Sequence, residues 1–185
     1  GQPIRQWYKK FKTPEGWEMP KNIPSYSKLA QMEGSAKDMQ MKTGALYDAL
    51  MNKVKAAVGD RKTASIAFVW MQGERDAKEQ LSAVYEESMA GLVKQLRDDL
   101  GRQDIAVVIG RISDTNVGTK DWDAVRAAQE AVCKKDPLAA MVDTDDLNGP
   151  ENGLHYTKEG YNELGKRFAE KAIGLIKGQE QGAGR

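Results

Sequence analysis

Ala64-Ser-Ile-Ala-Phe-Val-Trp70 is an apolar run that continues into the polar turn Met71-Gln-Gly-Glu-Arg-Asp76. A short apolar run bounded by turn residues predicts a buried β-strand. Catalytic groups of α/β enzymes lie on the loops that leave the carboxyl ends of such strands. The two segments therefore predict a strand that carries polar side chains, Gln72 and Glu74 among them, to a functional site.

The sequence on either side of this strand alternates between helical and extended patterns. Apolar residues at steps of three and four predict four helices, with Asp121 and Thr157 as the N-caps of the last two, at about residues 44–58, 77–100, 121–134 and from 157 onward. Apolar runs predict two further strands at residues 105–109 and 139–142. This order predicts an α/β fold, a parallel sheet with helices on both faces. Three strands make a thin sheet, so we expect more strands from a preceding segment or from another molecule.

Composition and charge exclude several classes of protein. A length of 185 residues fits one domain. The 28 basic and 27 acidic residues are spread along the chain and give a net charge of +1, so the basic stripe of a nucleic-acid-binding protein is missing. No apolar stretch is long enough to cross a bilayer. The single cysteine, Cys133, excludes an internal disulfide and a multi-cysteine metal site. Its place on a predicted helix indicates a buried or half-buried residue.

We assign residues 1–177 to one domain and the glycine-rich residues 178–185 to a flexible tail. The first 42 residues hold four of the six prolines and show little periodicity, which predicts a long irregular segment laid on the scaffold. The chain opens on Gly1-Gln-Pro-Ile with neither an initiator methionine nor a signal peptide, so we expect the domain to be incomplete at its N-terminus. The compartment stays open; a periplasmic or secreted bacterial protein is compatible with the sequence.

His155 is the only histidine and stands in Asn152-Gly-Leu-His-Tyr-Thr157, just before the last predicted helix. A lone imidazole on a loop is a general base, a metal ligand or an ordinary surface residue. A metal site here would have one nitrogen ligand and no helical pair of histidines, which disfavours it. The acidic residues that such a site would recruit are Asp143, Asp145 and Asp146.

Gln72 and Glu74 flank Gly73 on the turn after the first strand. A glutamine amide there can donate a hydrogen bond to a developing oxyanion, an effect worth roughly 10²–10³ in rate for one donor. Glu74 can hold the turn or orient a basic group. The alternative is a polar loop whose side chains only satisfy backbone groups, and spacing alone does not decide between the two.

Taken together, the two motifs carry a family resemblance. Trp-x-Gln-Gly-Glu-x-Asp at residues 70–76, followed by Gly-Leu-His-Tyr at residues 153–156, resembles the sialate O-acetylesterase-like branch of the SGNH hydrolases. The opening Gly1-Gln-Pro-Ile-Arg-Gln-Trp7 is similar to the glycine block that follows the second strand in that branch. Arg111-Ile-Ser-Asp114 and Val125-Arg-Ala-Ala-Gln129 also look like family segments. The resemblance thus extends from Gly1 to about Ile176.

The resemblance implies a three-layer α/β/α sandwich around a parallel sheet of flavodoxin-like order. It also implies a serine-type esterase that removes acetyl groups from sugars, with an acetylated carbohydrate as substrate and no metal or organic cofactor. By match of motif, His155 is the base, and Gln72 and a backbone N–H near Gly1 are the oxyanion donors. Glu74 and Asn152 fall at supporting positions of the site.

The chain departs from the family pattern at the nucleophile. The family's serine lies in a Gly-Gln-Ser-Asn-like block after the first strand, which precedes the glycine block at which this chain opens. The serines present do not resemble that turn: Ser25, Ser27, Ser35, Ser65, Ser82, Ser88 and Ser113. We therefore expect the nucleophile and the first two strands to lie upstream. The family's first strand pairs with its third, so residues 64–70 should form an open apolar edge that causes poor solubility or association.

A second departure concerns the acid of the triad. The acid commonly stands three residues before the histidine, and that position is Asn152. An asparagine can hold an imidazole by a hydrogen bond, but it supplies no carboxylate to stabilise an imidazolium. Glu151 and Asp146 remain possible substitutes.

Two other functions stay open. The first is a non-catalytic carbohydrate-binding protein on the same scaffold, with stacking surfaces from Trp7, Tyr8, Trp17 and Trp122. The second is a different hydrolase that uses Ser113, or a bound water, together with His155.

Overall fold

A computed structural model describes residues 1–18, 20 and 42–183, with side chains described up to residue 179. Within the described residues, the helices and strands follow one another in this chain order: α1 (Ala45–Val58), β1 (Ala67–Trp70), α2 (Glu74–Lys78), α3 (Tyr85–Leu100), β2 (Ala106–Gly110), α4 (Lys120–Lys135), β3 (Ala139–Val142) and α5 (Lys158–Ala183). Short 3-10 helices lie at Ile4–Gln6, Ser82–Val84 and Asp114–Asn116.

The three strands form one parallel sheet in the order β1-β2-β3. All five residues of the central strand β2 are buried. In β1, by contrast, Trp70 is buried while Val69 is 46% exposed. The sheet therefore confirms the predicted α/β class, but β1 is a half-exposed edge strand within the described residues rather than a fully buried one.

Helices cover both faces of this sheet, because alternate residues of β2 point to opposite sides. Val107 and Ile109 belong to a core cluster shared with α3 and α4, which contribute residues such as Leu92 and Val125. Val108 faces the other way and packs in a second cluster with residues of α5, among them Leu164. The result is the three-layer sandwich that the family resemblance implies.

The helix predicted at residues 77–100 is wrong in its first part. The chain turns into α2 already at Glu74, leaves the helical conformation at Gln80, where φ is +58°, and starts α3 only at Tyr85. Asp76 in α2 and Glu79 at its C-cap are both fully buried, so this short helix packs its acidic side chains inward. Apolar spacing alone did not reveal these two inward acids.

The helix ends also differ from the prediction. The fourth helix begins at Lys120 with Thr119 as N-cap, while Asp121 instead accepts a hydrogen bond of 2.6 Å from the Ser82 hydroxyl. The last helix continues to Ala183, so its backbone is helical over most of the stretch assigned to a tail. Cys133 is half-buried, as predicted, and burial raises the pKa of its thiol to about 11.

Candidate active site

A cavity of about 680 Å³ lies beside the carboxyl end of β1. It brings together four residues that the sequence assigned to one site, although they are far apart in the chain: Gly1, Gln72, Glu74 and His155. A volume of this size is in the range of small-molecule sites. The cavity wall also includes the exposed Val69 of β1, the edge strand of the sheet within the described residues.

The backbone of the Gln72 turn is fixed from two sides. The Gln72 carbonyl accepts hydrogen bonds from the Tyr85 hydroxyl at 2.7 Å and from Nε2 of Gln129 at 2.9 Å. Gly73 follows with φ of +155°, and a Cβ placed there would lie 2.8 Å from the side chain of Val125. The glycine is therefore required both by its backbone conformation and by the close packing of α4.

Asp76 ties this turn to the start of the chain. Its buried carboxylate accepts the backbone N–H of Ile4, with Ile4 N lying 3.0 Å from Oδ2, and also accepts Nε2–H of Gln72. Burial raises the pKa of Asp76 to about 6, although the hydrogen bonds from Gln72 and Ile4 and the charge of Arg5 act in the opposite direction. The contact places the segment that begins at Gly1 beside Gln72.

An ion-pair cluster reinforces the same junction. The guanidinium of Arg5 pairs with the carboxylate of Glu79, and both side chains are almost completely buried. Arg75 also pairs with Glu79, one helical turn away. The indole of Trp17 donates to the Glu79 carbonyl at 2.8 Å. Burial raises the pKa of Glu79, and the Arg5 charge opposes that shift.

Aromatic side chains form two walls of the cavity. Trp7 and Trp70 meet edge to face with ring centroids 5.5 Å apart, and the Trp70 indole donates to the Tyr85 hydroxyl at 3.2 Å. Tyr156 and Tyr161 form a second edge-to-face pair, with ring centroids 5.4 Å apart. Burial raises the pKa of Tyr156 to about 12. All four of these aromatic side chains line the cavity.

The loop before α5 presents His155 to the cavity. The residue is exposed. Asn148 stabilises the loop, because its Nδ2 donates to the Gly153 carbonyl and to Asp114 at 3.1 Å each. Asn148 also donates to the side-chain oxygen of Asn152, which has a φ of +46°. Asn152 is not among the residues that line the cavity.

The acidic residues near this loop are engaged with arginines. Asp146 accepts two hydrogen bonds from Arg167, which lowers the pKa of Asp146. Asp145 pairs with Arg111 and Arg126. In the part of the chain that the structure describes, no group of three His, Cys, Asp or Glu side chains is arranged to hold a metal ion.

Serines within the described residues lie away from the cavity. Ser65 precedes the amino end of β1 and is exposed. Ser82 donates to Asp121, Ser88 is buried in α3, and Ser113 is 1% exposed. None of these four lines the cavity. The sequence also contains Ser25, Ser27 and Ser35, which fall outside the described residues.

The aromatic residues proposed for sugar stacking separate into two groups. Trp7 lines the cavity. Trp122 is only 2% exposed, and its indole donates to the Ser113 carbonyl at 2.7 Å. Trp122 is therefore a core residue and offers no stacking surface. Tyr8 packs against the core, and the Trp17 indole donates a hydrogen bond to the Glu79 carbonyl.

The sequence motif contains the turn that lines the cavity, but several residues that hold this turn were given no role. Asp76 closes the quoted motif, yet no role was assigned to it. Arg5, Glu79 and Gln129 were not singled out, because their functions depend on contacts between distant segments. An acid at each of positions 76 and 79, facing the same side of a helical turn, is the signal that could have indicated an anchoring face.

The fold and the cavity define an α/β protein with a candidate site at the carboxyl edge of a parallel sheet. The sequence model of one family matches residues 28–174, and its description is carbohydrate esterase, sialic acid-specific acetylesterase. The match covers more than half of the chain, so the chain belongs to this carbohydrate esterase family.

A solved structure has the same fold. The chain is 25% identical to a protein from Arabidopsis thaliana, whose crystal structure was determined at 1.6 Å, with a TM-score of 0.59. The similarity covers 70% of this chain and 52% of the Arabidopsis protein, so the chain spans about half the length of that relative. No curated protein sequence matches the chain. None of the helices among the described residues is long and apolar enough to span a membrane.

Proposed function

We propose that this protein is a serine-type carbohydrate O-acetylesterase. The single observation that carries the proposal is the cavity that gathers Gly1, Gln72, Glu74 and His155 from three distant parts of the chain. Membership of the carbohydrate esterase family supports an acetylated sugar as the substrate class. The two aromatic walls suit the faces of a sugar ring.

In the proposed reaction the serine oxygen forms a bond to the acetyl carbonyl carbon while its proton passes to His155. His155 then returns the proton to the sugar oxygen as the bond to the acyl carbon breaks. A water molecule repeats the sequence on the acetyl-serine and releases acetate. Gln72 and a backbone N–H near Gly1 stabilise the oxyanion at each step.

Gln72 is suited to the role of oxyanion donor. A primary amide carries two N–H donors on one nitrogen. Asp76 accepts from this nitrogen, and Gln72 lines the cavity. The second N–H is then available to a substrate oxygen. The fixed backbone of the turn gives this donor a defined position before the substrate binds.

The nucleophile in this proposal comes from a segment outside the described residues. Two observations support it: the described serines do not line the cavity, and within the described residues β1 has one unpaired edge, whose exposed Val69 lines the same cavity as His155. A further strand that pairs with β1 would deliver a residue at its carboxyl end to the same cavity. The expected association through this edge is part of the same proposal.

Acetate release tests the proposed function. The substrates are an O-acetylated sialic acid, another O-acetylated sugar and a small aryl acetate. The proteins are the 185-residue chain and the full-length protein that contains it, each with its His155→Ala variant. Lys158→Ala, an exposed change three residues later, is the matched control. We expect activity in the full-length protein that falls by about 10³-fold or more in His155→Ala and stays unchanged in the control. Equal activity of His155→Ala and the wild type would overturn the proposal.

A non-catalytic carbohydrate-binding protein is the second candidate. Asn152 at the usual position of the acid, together with the placement of the described serines, favours it. This candidate predicts that the full-length protein binds the acetylated sugar, as measured by calorimetry, without releasing acetate. Turnover that depends on His155 would exclude it.

A further inference from the structure

The side chain of Asp76 contacts both segments assigned to the oxyanion donors. One segment is the start of the chain, where Ile4 N lies 3.2 Å from Oδ1 and 3.0 Å from Oδ2 of Asp76. The other is the turn after β1, where Nε2 of Gln72 donates to Oδ2. The two segments are 72 positions apart in the sequence at this contact. The Asp76 carboxylate therefore joins the two segments directly.

This contact also fixes which way the Gln72 amide points. A carboxylate only accepts hydrogen bonds, so the nitrogen of the amide has to face Asp76. The amide oxygen is then directed toward the Tyr85 hydroxyl, which lies 3.4 Å away. The backbone carbonyl of Gln72 is held separately by Tyr85 and Gln129. Without Asp76, the terminal torsion of the side chain would lose its fixed direction, because such torsions are broad.

Asp76 itself stays away from the substrate. It is fully buried and does not line the cavity, whereas Gln72 and Gly1 do. Its position on the first turn of the short helix α2 is fixed by Arg75 and Glu79, which anchor that helix to Arg5. Any effect of Asp76 on catalysis must therefore pass through the groups that it holds.

We propose that Asp76 is a positioning residue that assembles the oxyanion hole, by holding the Gln72 amide and the N-terminal segment in one fixed arrangement. This role rests on the proposed esterase function. Oxyanion donors act mainly on the transition state, so their misplacement lowers kcat and leaves KM almost unchanged. A residue that only stabilised the fold would show no such separation once the active fraction of enzyme is known.

The test compares Asp76→Ala with Asp76→Asn in the full-length protein. Alanine removes both contacts, whereas asparagine keeps one acceptor oxygen for Ile4 and Gln72. Asp98→Ala is the matched control, because it removes a carboxylate from the exposed face of α3. The first readout is hydrogen exchange of the Ile4 amide followed by NMR, which needs no activity. The second is kcat and KM for acetate release, with the active sites counted by a covalent inhibitor.

We expect exchange of the Ile4 amide to become at least about tenfold faster in Asp76→Ala, with β2 amides unchanged. In the same variant kcat should fall by roughly 10–100-fold, which is no more than the decrease in kcat expected when one oxyanion donor is removed. KM should change by less than about twofold. Asp76→Asn should recover most of both losses, and Asp98→Ala should match the wild type.

The possible results distinguish a failure of the positioning role of Asp76 from a failure of the proposed esterase function. Wild-type protein that releases acetate, together with Asp76→Ala that has an unchanged kcat per active site, would overturn the positioning role alone. A rise in KM with constant kcat would also overturn it. Wild-type protein that releases no acetate would overturn the proposed function, and the catalytic role of Asp76 with it. Slow Ile4 exchange in Asp76→Ala would show that Asp76 does not hold the segment.

Discussion

The carboxylate of Asp76 lies 3.0 Å from the backbone nitrogen of Ile4 and closes the gap between the start of the chain and the turn after β1. A buried acid is costly unless its oxygens are hydrogen-bonded. Here the same carboxylate also accepts a hydrogen bond from Gln72. A buried acid therefore lies at the junction of the two segments that form the proposed site. This relationship leads to the first of four predictions about stability.

The contribution of Asp76 to the free energy of unfolding should fall as the pH rises from about 4 to about 6. The folded-state pKa of Asp76 is raised to about 6 from its ordinary value of 3.8, because burial disfavours the charged form. The native protein therefore binds more protons than the unfolded chain in this window, and the contribution of Asp76 is greatest below the lower value. The shift corresponds to about 3 kcal/mol lost by pH 7.

Urea unfolding of the wild type and Asp76→Asn at pH 4, 5, 6 and 7 measures this effect. Subtracting the two curves removes the contributions of the groups that both proteins share. We expect the wild type to lose stability relative to the variant as the pH rises. A difference that stays constant across this range would show that Asp76 does not titrate there.

Replacing Tyr85 with phenylalanine should destabilise the protein by about 1–3 kcal/mol. The Tyr85 hydroxyl donates to the Gln72 carbonyl at 2.7 Å and accepts from the Trp70 indole at 3.2 Å. Its loss leaves the buried indole N–H without this acceptor. Tyr161→Phe is the control, because Tyr161 is 50% exposed. Equal urea midpoints for the two variants would contradict the role given to the Tyr85 hydroxyl.

Gly73→Ala should be more destabilising than Gly118→Ala. Both glycines have a positive φ, +155° and +93°, so both substitutions strain the backbone by roughly 1–3 kcal/mol. Only the Cβ at position 73 would meet a neighbour, at 2.8 Å from Val125, which adds about 1–3 kcal/mol of overpacking. Thermal or urea unfolding of both variants measures the difference. Similar losses of stability in the two variants would mean that α4 moves enough to accommodate the added methyl group.

Gly160→Ala should disturb the loop that carries His155. A Cβ at position 160 would lie 2.0 Å from the Leu147 carbonyl oxygen, so the start of α5 would have to move, at a cost of about 1–3 kcal/mol or more. Gly165→Ala, with nothing within 4 Å, should instead stabilise the same helix by about 0.5–1 kcal/mol. Unfolding midpoints that move in the same direction for both variants would count against this packing.

Much of this arrangement follows from local patterns. The strands at β2 and β3 and the helices α1 and α4 lie close to their predicted bounds, because their apolar periodicity agrees with their burial. The turn after β1 and the loop at His155 meet at one cavity, as expected for loops near the carboxyl end of a parallel sheet. These features depend mainly on neighbours in the sequence.

Features that depend on distant contacts could not be predicted in this way. The break at Gln80 arises because Asp76 and Glu79 bind Ile4 and Arg5, more than 70 positions earlier. The supporting role expected of Asn152 stays a prediction; its side chain accepts a hydrogen bond from Asn148, and Asn152 is not among the residues that line the cavity.

Covalent labelling tests the central claim most directly. The full-length protein and its His155→Ala variant are treated with a fluorophosphonate, and the modified residue is located by mass spectrometry. The account predicts one adduct, on a serine outside residues 42–183, that forms much more slowly in His155→Ala. An adduct on Ser113, or equal labelling of the two proteins, would contradict it.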